Sequence, residues 1–409
     1  MVLNMFKSIK INYLLAGLAF MFMMIMPFKF QIVKLSLVLV SIVYAAKKNQ
    51  INPGSYQKNW VVIFILCNLL PFIYAIISGN PGYDLYINTY FLWPILYSLL
   101  VGSLNDDFYE FFHKILSIGI WVVLGIGLYV FIFYNLNGIV SEDILSVQPK
   151  MRPGMPFITI SDGCVNSIIF LYSYFLVFGL LNKDINYKLL ASCFVFVFVT
   201  SRRVIYAELV LAIILYVIIA SVCKIKIPRK IISSMIIGVI IFAVVAVSLI
   251  RYYGWFEFNE IIDAFEAISE ASDGERIEQY KALINGWLEK PFLGNGTGID
   301  ASYSRSDKPG TYELSYIAIL FERGVIGFTI YIGLLLSLNV KAIKTVKRFP
   351  CKGKYLIPHL IAIDMMLVAN ATNNYIQAFD YTWVLFILFP FFRRNKNEIL
   401  MTASARQRE

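Results

Sequence analysis

The chain has 409 residues, 59% of them apolar and 15% charged, with a formal net charge of +10. Soluble globular chains carry about 25% charged residues. Apolar runs of about 18 residues or more recur along this one, so the composition excludes an ordinary water-soluble domain and points to a polytopic membrane protein.

The first apolar segment, Ile11 to Phe28, follows Lys7 and Lys10 without a small-residue cleavage site, and reads as a retained helix. Hydropathy predicts about twelve spans, near 11–28, 30–46, 60–78, 86–102, 112–134, 160–182, 187–201, 203–223, 231–250, 313–340, 356–372 and 375–392. The expected fold is therefore an all-α integral membrane protein. Residues 1–250 would form nine spans, 251–312 one long outer loop, and 313–409 three further spans and a tail. The five cysteines, Cys67, Cys164, Cys193, Cys223 and Cys351, form no CxxC pair, which favours free thiols over a thiolate metal site.

Orientation follows the basic residues. Compact clusters at Lys224, Lys226, Arg229 and Lys230, and again at Lys341, Lys344, Lys347, Arg348, Lys352 and Lys354, mark the cytoplasmic side and place both termini there. Segment 251–312 holds eleven acidic residues against six basic ones, so it faces outward. The net charge is thus a topology signal and calls for no nucleic-acid partner. One turn departs from the rule. "TSRR" places Arg202 and Arg203 on the outer face, where they meet lipid phosphates or a bound anion.

Two helical pieces are expected within the long loop. "FEFNEIIDAFEAIS" gathers Phe258, Ile261, Ile262, Phe265 and Ile268 on one face, as suits a helix lying along the membrane. In the second, Ser272 and Glu275 fit a capping box, and Ile277, Tyr280, Ile284, Trp287 and Leu288 form an apolar stripe. Pro291 ends that helix and "GNGTG" makes a flexible turn. Arg276 would lie in the first turn, where backbone N–H groups and a guanidinium make a phosphate cradle. The glycines alone carry no nucleotide signature, because no GK[ST] follows.

"TSRR", then Arg276-xxx-Tyr280, Trp287, "PFLGNGTG" and "LFERGVIGF", in this order across Thr200 to Phe328, resemble the bacterial O-antigen polymerase (Wzy-type) and O-antigen ligase superfamily. The resemblance implies a GT-C-like membrane glycosyltransferase of the inner membrane, metal-independent and without cofactor. It acts at the periplasmic face on undecaprenyl-diphosphate-linked oligosaccharide donor and acceptor. Arg202 and Arg276 match the family's diphosphate-binding arginines. Ligases and many relatives carry a His-Asn pair eleven residues before the first glycine of "GxxG"; here Glu313-Leu314 stand there, counted back from Gly324. This weakens the ligase assignment and favours a polymerase.

A carboxylate at Glu313 can accept the proton of an attacking hydroxyl, while Arg202, Arg203 and Arg276 stabilise the leaving diphosphate. With one base and no paired nucleophile, direct inversion is the simpler chemistry. Tyr280, Arg152, Asn373, Asn374 and Asp380 are further substrate-contact candidates on the outer side. Arg323 and Asp364 both fall near mid-bilayer and are expected to pair, with Glu322 nearby. His113 and His359 fall toward the inner side without metal-ligand company. Competing functions are a ligase with a lipopolysaccharide-core acceptor and a lipid-linked oligosaccharide flippase. The flippase is disfavoured because no internal repeat divides the chain. A chain-length regulator protein is a further partner to expect.

Overall fold

A computed structural model describes residues 10–138, 144–151, 157–200, 203–227, 258–304 and 308–393. Among the described residues, twelve α-helices run eight residues or longer. They are α1 (Ile11–Ile25), α2 (Gln31–Lys47), α3 (Ser55–Ser78), α4 (Trp93–Gly102), α5 (Phe108–Asn137), α6 (Ile168–Asn182), α7 (Tyr187–Thr200), α8 (Arg203–Val222), α9 (Phe258–Glu289), α10 (Ser315–Arg348), α11 (Gly353–Ala369) and α12 (Phe379–Phe386). A helix stands where each predicted span was placed, except 231–250, which lies outside the described residues.

Among the described residues, four helical segments are long and apolar enough to cross a membrane: Ser55–Ser78, Phe108–Asn137, Gly163–Asn182 and Ser315–Arg348. The 24 residues of α3 rise about 36 Å, more than the roughly 30 Å of a hydrocarbon core. Shorter apolar helices, including α1, accompany them. The mostly helical chain also contains one element not expected from the sequence. Gln148–Lys150 and Thr159–Ser161 pair antiparallel as β1 and β2 in the α5–α6 connection.

The core sits between α5, α6, α11 and α12. His359 is fully buried there among Tyr109, Phe112, Phe170, Tyr174 and Phe391, with Nδ1 2.7 Å from the Tyr355 carbonyl. One end of the bundle is stitched by cations. Lys352 reaches Asp106 at 3.1 Å, and Arg393 donates to the carbonyls of Val101 and Gly102 at the C-terminus of α4, the end that favours a cation. At the α1–α2 turn, Phe28 and Phe30 both have positive φ. That turn is held by Asp380 at the start of α12. The Asp380 carboxylate accepts from Phe28 N at 2.9 Å and from Lys34 Nζ at 2.5 Å, with both charged side chains fully buried.

Three expectations are corrected. First, α9 runs unbroken from Phe258 to Glu289, so Ser272 lies inside a helix and not at its start. Arg276 consequently stands mid-helix, without the N-terminal amides that would have made a cradle around it. Second, α10 is not a continuous span. Gly324 adopts φ 62°, ψ −176°, a conformation open essentially to glycine alone, and interrupts the helix one-third of the way along. Third, Arg323 does not pair with Asp364. Asn339 Nδ2 donates to Asp364 at 2.8 Å, while the Arg323 guanidinium lies between the rings of Tyr90 and Tyr331, 4.5 and 5.1 Å from their centroids.

Candidate active site

The segment Pro291–Gly298 fills the interruption in α10. Asn295 N donates to Phe321 O at 3.0 Å, Gly296 N to Glu322 O at 2.9 Å, and Val325 N to Pro291 O at 2.8 Å. The backbone groups freed by the break are thereby satisfied from another segment, which is how a broken helix is tolerated. Pro71 O in α3 accepts from Thr297 N, and Asn80 Nδ2 donates to Asn295 O and Thr297 O. The Glu322 side chain is fully buried. Its Oε1 accepts from Gly298 N at 3.3 Å and lies 2.7 Å from the Tyr86 hydroxyl, which is also 2.6 Å from Gly310 O. "PFLGNGTG" is therefore a plug that ties α9 to α10, not a flexible turn.

A second tie lies beside the plug. Leu283 of α9 packs with Tyr312, Ala318 and Phe321 in a small apolar cluster separate from the main core. Gly286 lets the Phe321 ring close in; a Cβ there would meet it at 2.5 Å. Buried Gln279 completes the contact, its Oε1 accepting from Glu313 N at 3.2 Å and from Leu314 N at 3.4 Å, just ahead of α10. These ties bring Arg276 to Glu313. Nε of the guanidinium donates to Oε2 of the carboxylate at 3.1 Å, and the side chains remain 32% and 35% exposed. A pair that open contributes at most about 1 kcal/mol to stability and can exchange partners. Chemically it offers an anion-binding fork and a proton acceptor side by side.

The remaining sequence candidates fall as follows. Tyr280 is exposed one turn along α9 from Arg276. Asn373 and Asn374 are half-buried in the α11–α12 turn, with Asn373 Nδ2 donating to Thr372 Oγ1. Their turn shares one end of the bundle with Glu313, because Tyr316 in the first turn of α10 donates to Leu367 O at the end of α11. Asp380 is given over to Lys34 and Phe28 and is shielded from solvent. Arg152 and Arg202 lie outside the described residues, as do Arg251, Arg305 and the Arg203 side chain. Sequence reasoning missed Gln279 and the Gly294–Gly324 contact. The spacing of small residues at Ala282 and Gly286 was the available signal for the packed face of α9.

Residues 189–332 match the O-antigen ligase family model. The match is consistent with the O-antigen polymerase and ligase superfamily that the motifs resemble, and it spans α7, α8, Arg276, the plug, Glu313 and the break at Gly324. Members of this O-antigen ligase family are membrane glycosyltransferase-like enzymes, ligases and polymerases, and the family implies lipid-linked polysaccharide substrates. No curated protein matches the chain.

Proposed function

We propose that the chain is a polymerase of O-antigen or a related surface polysaccharide, joining undecaprenyl-diphosphate-linked repeat units at the periplasmic face of the bacterial inner membrane. The observation that carries the reading is the Arg276–Glu313 pair at 3.1 Å within the family-matched segment. About twelve spans in a GT-C-like arrangement, with both termini cytoplasmic, set this pair at the depth of a lipid diphosphate.

The diphosphate of the donor competes with Glu313 for the Arg276 guanidinium. Its arrival releases the carboxylate to take the proton of the acceptor hydroxyl as the oxygen attacks the anomeric carbon. The bond from that carbon to the diphosphate oxygen breaks, its electron pair leaves on the diphosphate, and the configuration inverts. Arg276, with Arg202 and Arg203 from the "TSRR" turn, stabilises the charge that develops there, without a metal. Tyr280, Arg152, Asn373 and Asn374 are assigned to the sugars. A chain-length regulator would act on the same product.

The ligase reading remains the second, because the matched family model carries that description; Glu313-Leu314 in place of His-Asn favours the polymerase. Purified protein given a defined undecaprenyl-diphosphate oligosaccharide as donor and acceptor should produce a ladder of lengthening products. Transfer only to added lipid A-core, with no ladder, would make it a ligase.

A further inference from the structure

The apolar stripe predicted on α9 faces the protein only in part, through Trp287, which packs against the Leu283 cluster. The packed face is Gln279, Ala282, Leu283 and Gly286, and on the opposite side Ile277, Tyr280 and Leu288 are exposed. The stripe runs on into the plug, where Phe292 and Leu293 are 67% and 70% exposed. These two residues lie against a membrane-length helix. Pro291 O accepts from Val325 N at 2.8 Å and Phe292 O from Ile326 N at 3.4 Å, and Val325 and Ile326 are themselves outward-facing. Exposed apolar surface thus passes without interruption from α10 onto Phe292 and Leu293.

The depth of this surface can be measured. Lys341 of α10 lies 5.2 Å over the Tyr56 ring near the start of α3. Lys290, just ahead of the plug, donates to the Tyr74 hydroxyl at 2.7 Å near the other end of α3. Lysine–tyrosine pairs of this kind settle at membrane–water boundaries. Tyr56 and Tyr74 are 18 residues apart in one helix, about 27 Å, close to the roughly 30 Å of a hydrocarbon layer. Ile326 precedes Lys341 by 15 residues, so Phe292 beside it lies about 22 Å from the Lys341 boundary and about 5 Å inside the opposite one.

We propose that Leu288, Phe292 and Leu293 are inserted among the acyl chains of the bilayer. The segment after α9 is then a re-entrant knuckle anchored in lipid, with Lys290 and Tyr74 at the surface above it. The inference rests on the membrane reading of the chain.

The test places one spin label at a time on a Cys351→Ser background, Cys351 being the exposed native thiol. The full chain is reconstituted in phosphatidylethanolamine–phosphatidylglycerol vesicles. Labels at Phe292→Cys and Leu293→Cys should collide several-fold more with oxygen, which partitions into lipid, than with a water-soluble nickel chelate. Ser302→Cys, on the exposed loop, should show the reverse. Leu336→Cys, on the outward face of the second part of α10, serves as the lipid reference. Nickel access at 292 and 293 with Leu336 reading lipid would overturn the knuckle while leaving the membrane reading intact. Shielding of 292 and 293 from both reagents would overturn it in favour of a protein cover. Nickel access at all three positions would remove both readings together.

Discussion

Gly294 and Gly324 meet backbone to backbone. A Cβ on Gly294 would lie 2.4 Å from Gly324 N, and one on Gly324 would lie 2.2 Å from Phe292 O. Both residues have positive φ, 76° and 62°. Alanine at either position therefore meets strain and collision together, and should cost about 2–4 kcal/mol. Thermal unfolding in detergent checks this: Gly294→Ala and Gly324→Ala should melt clearly earlier, whereas Gly333→Ala, with nothing within 4 Å, should not.

The Arg276–Glu313 pair makes the opposite demand, small for stability and large for turnover. Arg276→Ala and Glu313→Gln should move stability by no more than about 1 kcal/mol, because the pair is partly solvated. Each should nonetheless abolish long chains, while single repeat units still reach the surface. Arg276→Lys keeps the charge without the planar fork, so partial chain extension is expected. The exchange Arg276→Glu with Glu313→Arg restores attraction between the helices but reverses the site, and should stay inactive. Product length by gel, measured at matched protein levels, decides the matter; full-length chains from both single variants would remove these residues from the chemistry.

Glu322 and Tyr86 should prove coupled. The Tyr86 hydroxyl lies against Glu322 Oε1 and Gly310 O, so it bridges α10 to the segment beyond the plug. Tyr86→Phe removes that bridge. Glu322→Ala also leaves Gly298 N without its acceptor. A double-mutant cycle on thermal stability should return a coupling of about 1–2 kcal/mol.

Much of this architecture was legible because hydropathy reports depth. Among the described residues, the runs that marked the spans became helices. Hydropathy does not report azimuth or interruption. Arg323 and Asp364 were matched by depth, yet each turned to a different neighbour, Arg323 to Tyr90 and Tyr331, Asp364 to Asn339. The break at Gly324 was hidden because "ERGVIGF" keeps a helical apolar pattern on both sides of it. Only the plug, more than twenty residues earlier, supplies the hydrogen bonds that make the break stable. Ser272 and Glu275 satisfied a local capping rule, but Phe258–Glu289 continues as one helix through them. For the candidate site, Arg276 and Glu313 were singled out by motif and by count, and their contact with each other required the fold. Gln279, which fixes the backbone of Glu313, carried no motif at all.

Asp380 offers the sharpest separation between a structural and a substrate-binding carboxylate. It was a sequence candidate for sugar contact, and the structure gives it Lys34 Nζ at 2.5 Å and Phe28 N at 2.9 Å with no exposed surface. Removing one member of such a pair strands the other charge without compensation. Asp380→Asn or Lys34→Met alone should therefore cost about 3–5 kcal/mol. The double replacement Lys34→Met with Asp380→Leu removes both charges and fills the space, so it should recover most of that loss even though Phe28 N stays without its acceptor. Chain extension by the double variant then reads the role directly. Recovery of stability together with activity makes Asp380 the clasp of the α1–α2 turn, whereas recovered stability with no product would return it to the substrate.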